Sequence, residues 1–266
     1  MTEEQQNAAV MISLSHLRIY DENDSPLVFD TSLSLHQGER LGIVGESGSG
    51  KSLTLRAIAG ILPKGLHCGG QLSFPSPSGN SRLAMIFQEP ATSLNPTMRM
   101  GDFVARTWRV HHPDDSKSES WEKASVLLRR VGVDHTEERM MSWPFELSGG
   151  LRQRFMIAAA LATEPDVLLC DEPTTALDVR VQAQIIELLS TIVRDEGLSL
   201  IFVSHDLAVI SQICDSLIVM RQGHVLETGR TVSVIRHPKT AYTRELLDAD
   251  LDYRLSNMVD STERGV

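Results

Sequence analysis

Residues 45 to 52 read Gly-Glu-Ser-Gly-Ser-Gly-Lys-Ser, a glycine-rich run that ends in an amine and a hydroxyl and fits G-x-x-x-x-G-K-[ST] at every fixed position. The chemistry that pattern serves is phosphate binding. Glycines at Gly45, Gly48 and Gly50 permit turns that aim successive backbone N–H groups at anionic oxygens from a helix N-terminus. Lys51 is then placed for the β and γ phosphates, and the Ser52 hydroxyl for a magnesium ion. A second set of groups sits further along. The apolar run Val167-Leu168-Leu169-Cys170 ends in Asp171-Glu172. Asp171 suits Mg²⁺ held through water, and Glu172 suits a water that attacks the γ phosphate. Gln88 follows another apolar run and His205 a third, so a polar group stands at the carboxyl end of each strand, where open α/β sheets bind ligands. Leu147-Ser148-Gly149-Gly150 opens the helix that leads into Phe155–Ala162. Ser148 caps it, and the two glycines expose N–H groups at its positive end, which makes a second anion site. Plainer readings stand beside these: a solvated loop glutamine, a strand-end acidic pair beginning a turn, and a capped helix with a glycine entry turn.

The elements that must position these groups are legible as short apolar runs. Leu41–Val44 before the glycine loop reads as a buried strand and Leu53–Ala59 after it as a helix, the context the loop requires. Leu83–Phe87, Val167–Glu172 and Ser199–Val203 read as further buried strands. Adjacent strand residues face opposite sides, so Asp171 and Glu172 are expected to divide labour. Met11–Tyr20 and Thr31–His36 alternate with period two and are expected to pair as an antiparallel sheet beside the nucleotide. Tyr20 is either a stacking platform for a base or an ordinary strand-end tyrosine. From Thr92 to Leu147 the spacing turns helical, with helices at Gly101–Val110 and Ser120–Val131 around a polar loop, His111–Ser118. The His111-His112 pair lacks acidic or sulfur partners at ligand spacing and reads as solvated. One nucleotide does not easily fill two anion sites separated by a helical lobe. Two facing subunits, each completing the other's pocket, explain the duplication.

Composition limits the function classes. The 266 residues are 41% hydrophobic and carry a net charge of −10, from 25 Lys and Arg against 35 Asp and Glu. That length and apolar fraction support a large core, and the acidic balance disfavours broad nucleic-acid binding. The longest apolar stretch, Phe155–Ala162, is far short of the roughly 20 residues a bilayer span needs. The N-terminus lacks the basic and apolar segments of a signal peptide, so a cytosolic location is expected. Cys68, Cys170 and Cys214 are widely spaced and suggest neither a disulfide framework nor a metal site.

Taken in order, the phosphate loop, Gln88, Leu147–Gly150, Asp171-Glu172, Ala176-Leu177-Asp178 and His205 resemble the motif series of the nucleotide-binding subunits of ATP-binding cassette (ABC) transporters, over Met11 to about Leu247. The resemblance implies an α/β fold: a P-loop NTPase core with an antiparallel β subdomain and an inserted helical subdomain at about 92–163. It implies one ATPase domain over 1–247 and a polar tail over 248–266. ATP and Mg²⁺ are the implied ligands, with Gly45, Glu46, Ser47, Gly48, Ser49, Gly50, Lys51, Ser52 and Leu53 around the phosphates and Tyr20 on adenine. Ser52, Gln88 and Asp171 would hold the metal, Glu172 and His205 would serve hydrolysis, and Ser148, Gly149, Gly150 and Asp178 would reach the ATP of an opposing subunit.

Finer resemblance lies in Gln88–Pro96 and His237–Leu247, which are similar to segments of the dipeptide, oligopeptide and nickel importer ATPases. Leu151 departs from the glutamine or methionine common there, and Lys239-Thr240-Ala241 interrupts a tighter His-Pro-Tyr-Thr. The cysteine cluster of longer peptide-importer members is absent, which keeps a nickel or metallophore type in view. The implied partners are a second, non-identical ABC ATPase, two transmembrane permease subunits and, indirectly, a solute-binding protein, with no nucleic acid. The implied location is the cytoplasmic face of the bacterial inner membrane. The rival reading is an ABC ATPase in a soluble complex such as phosphonate breakdown machinery, which would share every catalytic residue.

Overall fold

A computed structural model of the chain describes residues 8–75, 81–89, 93–175 and 177–249. The chain divides into two compact units, one built from residues up to Phe74 and from Ile201 onward, the other from Pro75–Leu200.

In the first unit, β1 (Val10–Tyr20), β2 (Pro26–His36) and β4 (His67–Ser73) form an antiparallel sheet in the order β2-β1-β4. The period-two pattern of β1 buries Leu14, Leu17 and Ile19, and its register against β2 shifts between Leu14 and Leu17. His16 lies in that shift at φ 56°, the local kink by which an extra residue is accommodated. β4 escapes a period-two reading because its residues, His-Cys-Gly-Gly-Gln-Leu-Ser, are all exposed. β3 (Arg40–Val44) pairs in parallel with β8 (Ser216–Arg221), which pairs antiparallel with β9 (His224–Arg230). Arg40 anchors the foot of β3 to Asp215 with two hydrogen bonds, 2.9 and 2.6 Å. Helix α1 (Lys51–Ile58) follows β3 through the glycine loop.

In the second unit, β5 (Leu83–Ile86) pairs in parallel with β6 (Val167–Asp171), Leu83 opposite Val167 and Ile86 opposite Cys170. Between them run α2 (Met100–His111), α3 (Lys117–Arg130), α4 (Thr136–Met140) and α5 (Gly149–Leu161). The expected polar loop is shorter than His111–Ser118. His111 closes α2, while Ser116 and Glu119 form a reciprocal capping box that starts α3 at Lys117. His112 is not simply solvated: its ring stacks on Trp108 at 3.9 Å and its Nε2 lies 3.5 Å from Glu164. After β6 comes α6 (Val179–Glu196), whose apolar face buries Ile185, Ile186, Leu189, Ile192 and Val193.

β7 (Ser199–Ser204) is buried throughout and leads into α7 (Leu207–Ile213). After β9 come α8 (Thr231–Arg236) and a last helix, residues 241–249. The rest of the expected tail, 250–266, lies outside the described residues. Among the described residues, no helix is long and apolar enough to cross a membrane.

Candidate nucleotide site

The first unit carries the phosphate loop. Val44, the buried end of β3, delivers the chain to Gly45, and Gly50 starts α1 from the left-handed region at φ 97°. A Cβ on Gly45 would lie 2.0 Å from the Met220 carbonyl oxygen of β8, a backbone atom with no means of swinging away. No larger residue fits at that position. The loop is tied at several points: Ser49 N–H donates to Glu46 O (3.2 Å), and Gly223 N–H donates to Ser49 O (3.0 Å). Lys51 is 4% exposed, and its Nζ donates to the carbonyls of Gly45 (2.7 Å) and Glu46 (2.9 Å). A lysine held inside its own loop with N–H groups gathered at a helix start presents fixed positive potential, which suits phosphate oxygens.

Tyr20 ends β1 opposite His67, and the two rings stack at 5.4 Å and 17°. His67 in turn reaches Asp24 at 3.1 Å. The tyrosine at the strand end is thus one of two stacked rings, and its imidazole partner was not read from the sequence. His205 stands exposed one residue beyond β7, while the adjacent Asp206 caps α7 by accepting from Ala208 N (2.7 Å) and Val209 N (3.1 Å).

The second unit carries the carboxylates. Asp171 is the last residue of β6 and wholly buried, and Glu172 lies just beyond the strand at φ 44°. Glu172 therefore does not alternate with Asp171 as a strand residue would. Glu172 is aimed by a left-handed backbone, uncommon for a residue with a side chain and concentrated at functional sites. Its Oε2 accepts from Thr175 Oγ1 (2.8 Å) and from Gln88 Nε2 (3.4 Å), so the glutamine after β5 and the glutamate after β6 meet. Burial pushes the Cys170 thiol up, with the Asp171 charge adding to it, so this cysteine is an inert core residue.

The same unit carries the second glycine helix start. Ser148 caps α5 by accepting from Leu151 N at 3.4 Å, and Asp178 caps α6 by accepting from Val181 N at 3.0 Å. The two helix starts are neighbours. A Cβ on Gly149 would lie 3.2 Å from Leu177 Cδ2, and one on Gly150 would lie 2.5 Å from Val181 Cγ1. Ser148, Gly149, Gly150 and Asp178 therefore form one cluster, beside an exposed Val179. Ala176 of the expected Ala-Leu-Asp triplet lies outside the described residues, as do Pro90, Ala91 and Thr92 of the importer-like segment.

By chemical type the Ser52 hydroxyl in the first unit, and the Gln88 amide oxygen and Asp171 carboxylate in the second, are each hard oxygen donors of the kind Mg²⁺ takes. Among the described residues there is no group of three or more His, Cys, Asp or Glu able to hold a metal. Magnesium does not need one, because it keeps waters and takes substrate phosphates as ligands.

The ABC transporter family matches residues 28–175. The chain is 46% identical over 232 residues to the probable D,D-dipeptide transport ATP-binding protein DdpD of Escherichia coli K12, covering 82% of this chain and 70% of that protein. It is 41% identical over 260 residues to the oligopeptide transport ATP-binding protein OppD of the same organism, covering 92% and 77%. Among solved structures it superposes on the cbiO1 subunit of the cbiONQ transporter of Clostridium perfringens with a TM-score of 0.72 at 23% identity, over 96% of this chain and 99% of that one. The chain belongs to the ABC transporter family. It is an ATP-binding subunit of that family, an ATPase coupled to transport.

Proposed function

We propose that this chain powers the import of small peptides or peptide-like solutes through separate membrane subunits, by ATP-driven closure against a second ATPase. One observation supports the reading: a single chain carries two glycine turns that open helices, Gly45–Gly50 and Ser148–Gly150, as the two halves of a composite site would require. The phosphate loop lies in one unit and the Ser148–Gly150 and Asp178 cluster in the other. ATP and Mg²⁺ would be held by Gly45 to Leu53 with Asp171 and Gln88, Tyr20 would stack on adenine, and Glu172, oriented by Gln88 and Thr175, would position the attacking water, with His205 near the γ phosphate. The Ser148 cluster would close on the opposing subunit's ATP. Binding then favours the closed state, and hydrolysis removes that preference.

Identity to dipeptide and oligopeptide transport proteins supports a peptide solute over nickel or a metal chelate, and supports import over a soluble phosphonate-breaking complex. The domain would span 1–247 with its helical subdomain at about 92–163. Its place would be the cytoplasmic face of the inner membrane, docked on two permease subunits and served indirectly by a solute-binding protein. The opposing ATPase would be a non-identical companion. The test is reconstitution of this chain with its companion and two permeases in vesicles. ATP-dependent uptake of a labelled dipeptide is expected, and ATP hydrolysis indifferent to the membrane subunits would overturn the reading.

A further inference from the structure

The phosphate loop has a support in the last helix, in a residue that has so far been given no role. Tyr242 lies at the start of the last helix, 3% exposed, and its phenol oxygen accepts a hydrogen bond from the backbone N–H of Glu46 at 3.0 Å. That N–H belongs to the same peptide group as the Gly45 carbonyl, to which Lys51 Nζ donates at 2.7 Å. A peptide group is planar and turns as one body. Tyr242 thus grips one edge of the plane and Lys51 the other.

The tyrosine is itself firmly placed. The Arg221 guanidinium lies over its ring at 4.5 Å, and Glu245 reaches Arg221 at 3.8 Å. The turn before it is organised by Glu227 of β9, 6% exposed, whose carboxylate accepts from Lys239 N (3.0 Å), Thr240 N (3.2 Å) and Thr243 Oγ1 (2.7 Å). Burial works to raise the Glu227 pKa, yet these hydrogen bonds hold it below its ordinary value, so the carboxylate is kept charged. Thr240 Oγ1 accepts from Thr243 N at 3.1 Å. The Lys239-Thr240-Ala241 segment, which interrupts the expected His-Pro-Tyr-Thr, thus supplies two of the donors that set Tyr242 in place.

We propose that Tyr242 is a positioning residue for ATP: by fixing the Gly45–Glu46 peptide plane it holds the carbonyl that orients Lys51, and so links the last helix to the nucleotide. Without the phenol oxygen the plane is held only at its carbonyl edge by Lys51, and a smaller fraction of the molecules presents the loop ready for phosphate. Apparent affinity falls by that fraction, while a molecule with ATP bound is unaltered. The inference rests on the phosphate-loop reading of Gly45–Ser52.

The experiment measures MgATP binding by calorimetry, with thermal melting alongside, for the parent chain, Tyr242→Phe and Lys51→Ala. Phenylalanine keeps the ring beneath Arg221 and deletes only the acceptor. The expected result for Tyr242→Phe is a Kd raised roughly three- to tenfold, the worth of one net hydrogen bond, with a melting temperature lowered by only a few degrees. An unchanged Kd in that variant, with Lys51→Ala unable to bind, would overturn the role of Tyr242 and leave the loop reading standing. Normal ATP binding by Lys51→Ala would overturn the loop reading itself. A second measurement needs no variant. Coupling is reciprocal, so MgATP must slow amide hydrogen exchange in residues 241–249 of the parent chain. Exchange there indifferent to MgATP would overturn the proposal even if Tyr242→Phe failed to fold.

Discussion

The two glycine turns of this chain, Gly45–Gly50 and Ser148–Gly150, invite comparison because each places helix N–H groups where an anion would sit, yet they are built to different tolerances. The first is bound on several sides by Tyr242, Gly223 and its own Lys51. Its Gly45 is excluded from becoming anything else by a backbone carbonyl. The second rests on one serine cap at 3.4 Å, and the atoms that crowd its glycines are the tips of Leu177 and Val181 side chains. A site that binds ligand within its own chain gains from preorganisation, because order established during folding need not be established on binding. A site completed from outside gains from an accessible helix start with little wrapped around it. The difference in construction thus parallels the roles proposed for the two turns, cradle and docking end.

The largest expected effects test the first turn and its chemistry. Lys51→Ala should abolish hydrolysis and reduce ATP binding beyond detection while leaving the circular dichroism spectrum unchanged, since the ammonium is the loop's own positive charge. Unaltered turnover by the folded variant would break the comparison at its base. Glu172→Gln comes next. It should bind ATP like the parent and lose turnover by about a hundredfold or more, the scale of a positioned acid–base group. Parental rates would move the water-positioning role elsewhere.

A paired substitution then sharpens the contrast directly. Gly45→Ala sets a methyl against the Met220 carbonyl and should cost roughly 2–4 kcal/mol of stability, in the range of severe overpacking. Gly150→Ala meets Val181 Cγ1, a side-chain methyl of a stiff helical valine rather than a backbone oxygen, and should cost about 1–2 kcal/mol, less than Gly45→Ala. Chemical denaturation of both variants reads the difference. Equal losses would mean that the two turns are equally rigid.

Much of the first turn was legible in the sequence because local spacing alone specifies a strand, a glycine loop and a helix. The runs Leu41–Val44 and Val167–Cys170 announced their strands by being buried on both faces. The position of Glu172 was misread. Strand alternation was extended one residue too far, and a left-handed backbone at a glutamate has no sequence signature. His67 was missed because β4 is exposed and rich in glycine, so no apolar pattern marks it, although its pairing with β1 brings it opposite Tyr20. Tyr242 was quoted within a resemblance and given no role, because the contact with Glu46 joins residues 196 apart in the chain. Periodicity sees neighbours on one element. It does not see which distant side chain closes over a loop.

The smallest expected effect belongs to Ser148, and it separates stability from function most cleanly. Ser148→Ala removes the side-chain acceptor for Leu151 N–H, and caps of this kind are worth roughly 0.5–2 kcal/mol, with a 3.4 Å bond at the low end. Water can replace the lost acceptor, because Ser148 is exposed. The melting temperature should therefore fall by only a few degrees, and ATP binding to the isolated chain should not change. What should change is assembly. In a Glu172→Gln background, which preserves bound ATP, light scattering should show the parent cap pairing with the companion ATPase and the Ser148→Ala version pairing more weakly. The hydroxyl at this helix start is proposed to meet the opposing ATP rather than its own. Undiminished pairing would reduce Ser148 to a helix cap, and weakened ATP binding in the isolated chain would place the second turn in the same cradle as the first.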